Sequence, residues 1–337
     1  MKIQSLAKLF RRIRIPLFCL LLAVIIIGSI VAYPLLTSYS EKEAVGYEGI
    51  LRLWHIDTFE GGQGSRCSFL NRVARRYEKS AQGRLILVTN HTIESAETAI
   101  REGYIPDMIS YGTGAGFVAD LACPLNNLKF SPGAIGGVTY AYPWCRGGYM
   151  LFTAEGDFTD ISADNTVISK GRGAFPAIAA VSSGLCGEYT EEESVKAYVD
   201  FINGKYKYLL GTQRDVYRLQ SRNFAFQTKP VEEFSDLYQY ISVCTSESDK
   251  VSACTEFIDY LLSEEVQTSL TQIGMMSINY KIYNSEAPSM AAAEQIVPQK
   301  SIGAFLSGDA MSELENFAEA ALCGDAASAK KLENFLL

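Results

Sequence analysis

Histidine occurs only twice in the 337 residues, tryptophan only twice, and no two cysteines stand in a C-x-x-C spacing. The two histidines, His55 and His91, belong to neither an H-E-x-x-H helix nor a serine-centred elbow, so metalloprotease and triad chemistry have nothing to build on. Without C-x-x-C, zinc-ribbon and thioredoxin-like readings also fall. Outside the N-terminal apolar run the cysteines are Cys67, Cys123, Cys145, Cys186, Cys244, Cys254 and Cys323, widely and irregularly spaced. Their odd number leaves at least one thiol unpaired; a single disulfide or a set of small buried hydrophobes are both open. Nothing signals the carboxylate pair of a glycoside hydrolase. The expectation is a protein without catalytic residues, metal or cofactor.

Positive charge is also short. The chain carries a net −8, and its five N-terminal cations, Lys2, Lys8, Arg11, Arg12 and Arg14, leave −13 on the remainder. With no basic patch to counter a phosphate backbone, nucleic acid is not an expected partner. From Ile15 to Ser40 there is no charged residue at all, and Leu17 to Tyr33 is almost wholly aliphatic. A membrane-spanning helix needs about 20 such residues, and basic residues ahead of it keep the N-terminus cytoplasmic and send the rest outside. A cleaved signal peptide competes, but Ile30 and Ala32 before bulky Tyr33 make a poor cleavage site. Cys19 lies too early in the run for a lipoprotein signal.

With 48% hydrophobic and 20% charged residues, the rest reads as a globular chain long enough for two lobes. A strand at Ile50–His55 meets a glycine-rich turn, Gly61 to Ser65, with Ser65 as N-cap of a helix whose apolar residues are Phe69, Leu70, Val73, Ala74 and Tyr77. Arg84–Thr89 reads as a strand, Thr92–Glu102 as a helix and Asp107–Tyr111 as a third strand. This alternation predicts a parallel sheet with crossover helices. The aromatic stretch from Thr139 to Phe152 suits a crossing between lobes. Thr190 to Glu193 has the spacing of a capping box opening a helix, and further helices are predicted over 250–262, 310–322 and 327–336.

Five blocks in order resemble the extracellular solute-binding proteins of family 1. They are Leu51–His55 with Gly61–Ser65; Gly103–Gly112 around Pro106 and Asp107; Tyr140–Trp144; Phe201–Lys205 with Gly211–Leu219; and Cys254–Leu262 with Gln267, Ile273 and Gly274. The resemblance runs from about residue 48 to the end. It implies an α/β, two-lobed fold of the type II periplasmic-binding kind. The short, glycine-punctuated stretch Leu151–Val181 points to a reduced second lobe. The resulting division is a basic cytoplasmic tail over 1–14, an anchor or signal peptide over 15–36 and a linker over 37–47. Lobe 1 takes 48–141 and 242–290; lobe 2 takes 142–241 and 291–337. The function implied is capture of a small solute, carbohydrate first, for an ABC importer whose permease subunits are partners. The rival is a membrane-anchored sensor or interaction protein that keeps the fold without import.

The residues expected at a ligand are the turn Gly62, Gln63, Gly64 and Ser65, whose backbone N–H groups could face an oxyanion or hydroxyl, and Tyr111 with Gly112 at a strand end. Trp54 and Trp144 offer flat rings for a sugar, Asp57 an acceptor, and Arg214 with Asp215 a charged pair across the cleft. Each has a structural alternative: an ordinary strand–helix turn, a core tryptophan, a solvated turn residue, a local salt bridge. Expressed in a Gram-positive host, the protein should stay at full length with the membranes; a soluble form beginning near Tyr33 would instead establish a cleaved signal peptide.

Overall fold

The computed structural model describes residues 47–337, Gln82 excepted; the expected tail and anchor and the linker up to Gly46 lie outside the described residues. Among the described residues no helix is long and apolar enough to cross a membrane. Strand β1 (Gly49–Ile56) buries Leu51 and Leu53 around exposed Arg52, then buries every residue from Leu53 to its end. Helix α1 (Arg66–Ser80) starts where the Ser65 hydroxyl accepts from the Ser68 N–H, and buries the predicted apolar stripe. Strand β2 (Arg84–His91), helix α2 (Ile93–Arg101) with Thr92 and Ser95 as capping box, and strand β3 (Met108–Tyr111) complete the unit. β1 pairs in parallel with both β2 and β3, as expected.

A small hairpin, β4 (Ala134–Ile135) and β5 (Val138–Thr139), leads to β6 (Tyr142–Arg146). The second sheet is then laid down by β7 (Tyr149–Thr153), β8 (Thr166–Lys170), helix α3 (Pro176–Ser182), β9 (Thr190–Glu193), α4 (Ser194–Ile202), β10 (Tyr208–Thr212), α5 (Gln213–Ser221) and β11 (Gln227–Pro230). The chain returns on β12 (Tyr238–Val243) and closes with α6 (Ser248–Leu261), α7 (Glu264–Thr268), α8 (Pro288–Gln295), α9 (Asp309–Leu322) and α10 (Ala326–Glu333). Strand order is β2-β1-β3-β12-β6 in the first sheet and β11-β7-β10-β8-β9 in the second.

The lobe boundaries differ from those expected. Because β6 pairs with β12, and β12 with β3, both antiparallel, residues 142–146 and 238–241 belong to the first sheet. The outward crossing is therefore Gly147–Gly148, and the return precedes Tyr238. The stretch 190–193 is not a helix start. It pairs in parallel with Val167–Lys170 as an edge strand, and the helix begins only at Ser194, without a side-chain cap. Sheet pairing outweighs a four-residue cap pattern there. The seven cysteines are all free thiols; Cys145, Cys244 and Cys254 are buried, and burial pushes their thiols up.

The aromatic crossing is core, not cleft lining. Trp144 is 0% exposed, stacks on Phe69 at 5.7 Å, and donates its indole N–H to the Ser110 hydroxyl. Tyr149 joins the second crossing: its hydroxyl donates to Asp236 at 2.7 Å and accepts from the Phe175 N–H at 2.8 Å. Burial, only partly opposed by that bond, lifts the Asp236 carboxyl to about 7.

Two outcomes follow from these placements. Trp144→Ala should cost about 3–5 kcal/mol, read as a lowered melting temperature. For Asp236, the folded state holds a proton that the unfolded chain releases above about pH 4. Its contribution to stability should therefore fall as pH rises from there through about 7. Melting temperatures of Asp236→Asn should lack that decline; an unchanged slope would reject it.

Candidate functional site

The β1–α1 loop of the first lobe faces two segments of the second, the turn after β8 and the start of α5. Together they enclose a cavity of about 300 Å³ lined by Asp57, Phe59, Glu60, Gly61, Gly64, Ser65, Arg66, Arg172 and Arg214. Its floor is built by burial of a guanidinium. Arg66, 2% exposed, lies 4.0 Å over the Phe59 ring, donates from Nε to Asp57 Oδ1 (2.9 Å) and from Nη2 to the Phe59 carbonyl, and pairs through Nη2 with Asp57 Oδ1 at 2.7 Å. Its Nη1 is enclosed and has no partner among the described residues.

Asp57 is held from behind. Ser110 Oγ accepts from Trp144 Nε1 (2.9 Å) and from Gln239 Nε2 (3.1 Å), so its own proton is left for His55 Nδ1 at 3.2 Å. His55 must then carry its proton on Nε2 and donate it to Asp57 Oδ1 at 3.1 Å. Burial lowers the His55 pKa, a trend the Asp57 charge only partly offsets, so the ring stays neutral at pH 7. Burial alone would raise Asp57, but the His55 hydrogen bond and the Arg66 charge hold its carboxyl well below the usual carboxylate range. Its Oδ2 makes no hydrogen bond among the described residues, and the side chain is 41% exposed. A fixed carboxylate acceptor thus stands at the cavity wall.

The lobes are clasped at the same place. Glu60, from the first lobe, reaches Arg214 at 3.1 Å and Arg218 at 3.8 Å, and accepts from Ser194 Oγ at 3.1 Å. Gly173 (φ +57°) sits so close that a Cβ there would lie 2.0 Å from the Thr58 carbonyl oxygen. Only glycine allows that approach, and it pins the Gly171–Gly173 turn, with exposed Arg172 at its centre, against the first lobe.

Of the expected site residues, Asp57, Gly64, Ser65 and Arg214 come together here. The others are placed elsewhere, each for a physical reason. Trp54 is buried and stacked on His91 at 4.4 Å, and Trp144 is core. Tyr111 is fully buried, its hydroxyl 3.1 Å from that of Ser242, and burial pushes its pKa up against the pull of that hydrogen bond. Gly112 packs on the Thr58 side chain, and Gly62 on the Gly274 carbonyl, where a Cβ would lie 2.2 Å from the oxygen. The Gln63 and Gly64 N–H groups do not face a ligand; both donate to the Ile273 carbonyl, at 3.0 and 3.4 Å. Asp215 is 1% exposed, caps its own helix through the Thr212 N–H and pairs with Arg218 at 3.0 Å. It positions Arg218 toward Glu60 rather than meeting a ligand. Sequence reasoning missed Phe59, Glu60, Gly61, Arg66 and Arg172. Arg66 directly follows the glycine turn and Arg172 stands between two glycines, the only signals that could have marked them.

No family model matches the chain, and no curated protein matches it by sequence. Solved structures do match. The sugar-binding protein MalE of Xanthomonas citri superposes with a TM-score of 0.58 at 13% identity, over 85% of this chain and 95% of that one. The maltodextrin-binding protein MalE1 of L. casei BL23 gives 0.56 at 13%, over 86% and 98%. The maltose-maltodextrin binding protein of Alicyclobacillus acidocaldarius gives 0.55 at 12%, over 85% and 98%. The chain has the two-lobed α/β fold of these sugar-binding proteins.

Proposed function

We propose that this protein is the extracytoplasmic solute-binding component of an ABC importer and captures a small carbohydrate between its lobes. The observation that carries the reading is the cavity itself: its walls come from both lobes, and Glu60 bridges them beside it. Ligand enclosed there would join the two lobes and favour the closed arrangement, the hinge closure such folds use. Permease subunits that read the closed form would be its partners, and binding requires no covalent step. The sugar ligands of the structural neighbours support carbohydrate as the solute class.

In this reading Asp57 Oδ2 accepts a solute hydroxyl, Ser65 and Gly64 border the ligand, and Arg214 donates from the opposite lobe. Attachment to the membrane through residues 15–36 would keep the domain near the permease.

The test is a thermal-shift screen of the full-length protein against monosaccharides and short oligosaccharides, followed by titration calorimetry on any hit. A saturable, 1:1 ligand is expected. Glu60→Gln should weaken it about fivefold, the worth of a partly exposed ion pair, with little change in the unliganded melting temperature. Binding that ignores Glu60 would place the ligand outside this cleft.

A further inference from the structure

The cavity is cationic in an acidic protein. The chain as a whole carries a net −8, yet three guanidinium groups line the cavity against two carboxylates. The carboxylates are already matched: Asp57 by Arg66, Glu60 by Arg214 and Arg218. Arg172 makes no ion pair within contact distance among the described residues, its charge being felt only at the exposed Glu94 carboxylate, and the Gly173 contact with Thr58 fixes the turn that carries it over the cleft. A second cationic feature lies opposite. Buried Arg66 has an enclosed Nη1 without a partner, and the 15-residue helix α1 begins at the same wall, where first-turn N–H groups lack intrahelical acceptors and the helix dipole favours negative charge.

What neutral sugars use is missing. The sole aromatic ring lining the cavity is Phe59, and the Arg66 guanidinium covers its face at 4.0 Å. Both tryptophans are buried elsewhere. At about 300 Å³ the space also stands at the lower end of small-molecule sites, which run from about 300 to 1,000 Å³. A long neutral glucan has neither room nor a platform.

Resting on the solute-binding reading above, we infer that the cleft selects a small hydroxylated carboxylate, an acidic monosaccharide, with Arg172 as the specificity residue for its anionic group. The carboxylate lies against Arg172 and the start of α1, and charge-assisted bonds from a guanidinium suit its planar geometry. A hydroxyl donates to Asp57 Oδ2, which His55 and Arg66 keep ionised and fixed.

Full-length protein would be titrated calorimetrically with D-glucuronate, D-galacturonate and D-gluconate, with D-glucose, D-galactose and maltotriose, and with sodium sulfate at matched ionic strength. At least one sugar acid should bind saturably and at least tenfold more tightly than its neutral counterpart. Arg172→Gln should weaken that acid about ten- to a hundredfold, the worth of a hydrogen bond to a charged group. It should leave the unliganded melting temperature unchanged, and Arg172→Lys should restore part of the affinity. A neutral sugar binding as tightly as its acid, or an acid indifferent to Arg172→Gln, overturns the proposal and leaves the solute-binding reading standing. Sulfate as the one binding probe overturns it in favour of a bare oxyanion. Silence across the whole panel brings down the solute-binding reading and the proposal together.

Discussion

A guanidinium buried at the mouth of the first sheet is the constraint around which this molecule is arranged. Arg66 cannot leave water without an ionised partner, because an unpaired buried charge costs several kcal/mol. Asp57 is that partner, and a neutral His55 donating to it from behind joins the Arg66 charge in keeping it ionised. His55 in turn has its tautomer set by Ser110, whose lone pairs are taken by Trp144 and Gln239. This relay draws on β1, β3, β6 and β12, four neighbouring strands of one sheet, so the pairing register of that sheet decides where the cavity carboxylate points. Trp144 matters to the site as the far end of a hydrogen-bond chain, not as a surface for a ligand.

The closeness of the second lobe to the first has a price in glycine. Gly173 lies against Thr58, a contact that any side chain would block. Beside it Glu60 meets Arg214, Arg218 and Ser194. The result is a narrow, charged cleft. The sheets provide only the frame, while the loops at strand ends supply the chemistry.

Local pattern alone was enough for much of the scaffold. The apolar stripe of α1, the Ser65 and Thr92 caps and the alternation of strands with helices up to Tyr111 are short-range properties of consecutive residues, and the sheet obeys them. The order of the five family-like blocks likewise pointed to the two-lobed fold. Where local pattern and long-range pairing disagreed, pairing prevailed: Thr190–Glu193 reads as a helix start but is held as an edge strand by Val167–Lys170. The crossing point shows the same competition, since Tyr142–Arg146 reads as part of a crossing between lobes until β12 pairs with it. For the site, sequence could offer residue types at strand ends, and it named Asp57, Gly64, Ser65 and Arg214. It could not tell a ligand-facing ring from a core ring, because Trp54, Tyr111 and Trp144 differ from a stacking platform only in what covers them. Nor could it see that Glu60, Arg172 and Arg214, spread over more than 150 positions of chain, meet in one cavity. Burial, tautomer and charge pairing are properties of neighbours in space, and only the folded chain brings those neighbours together.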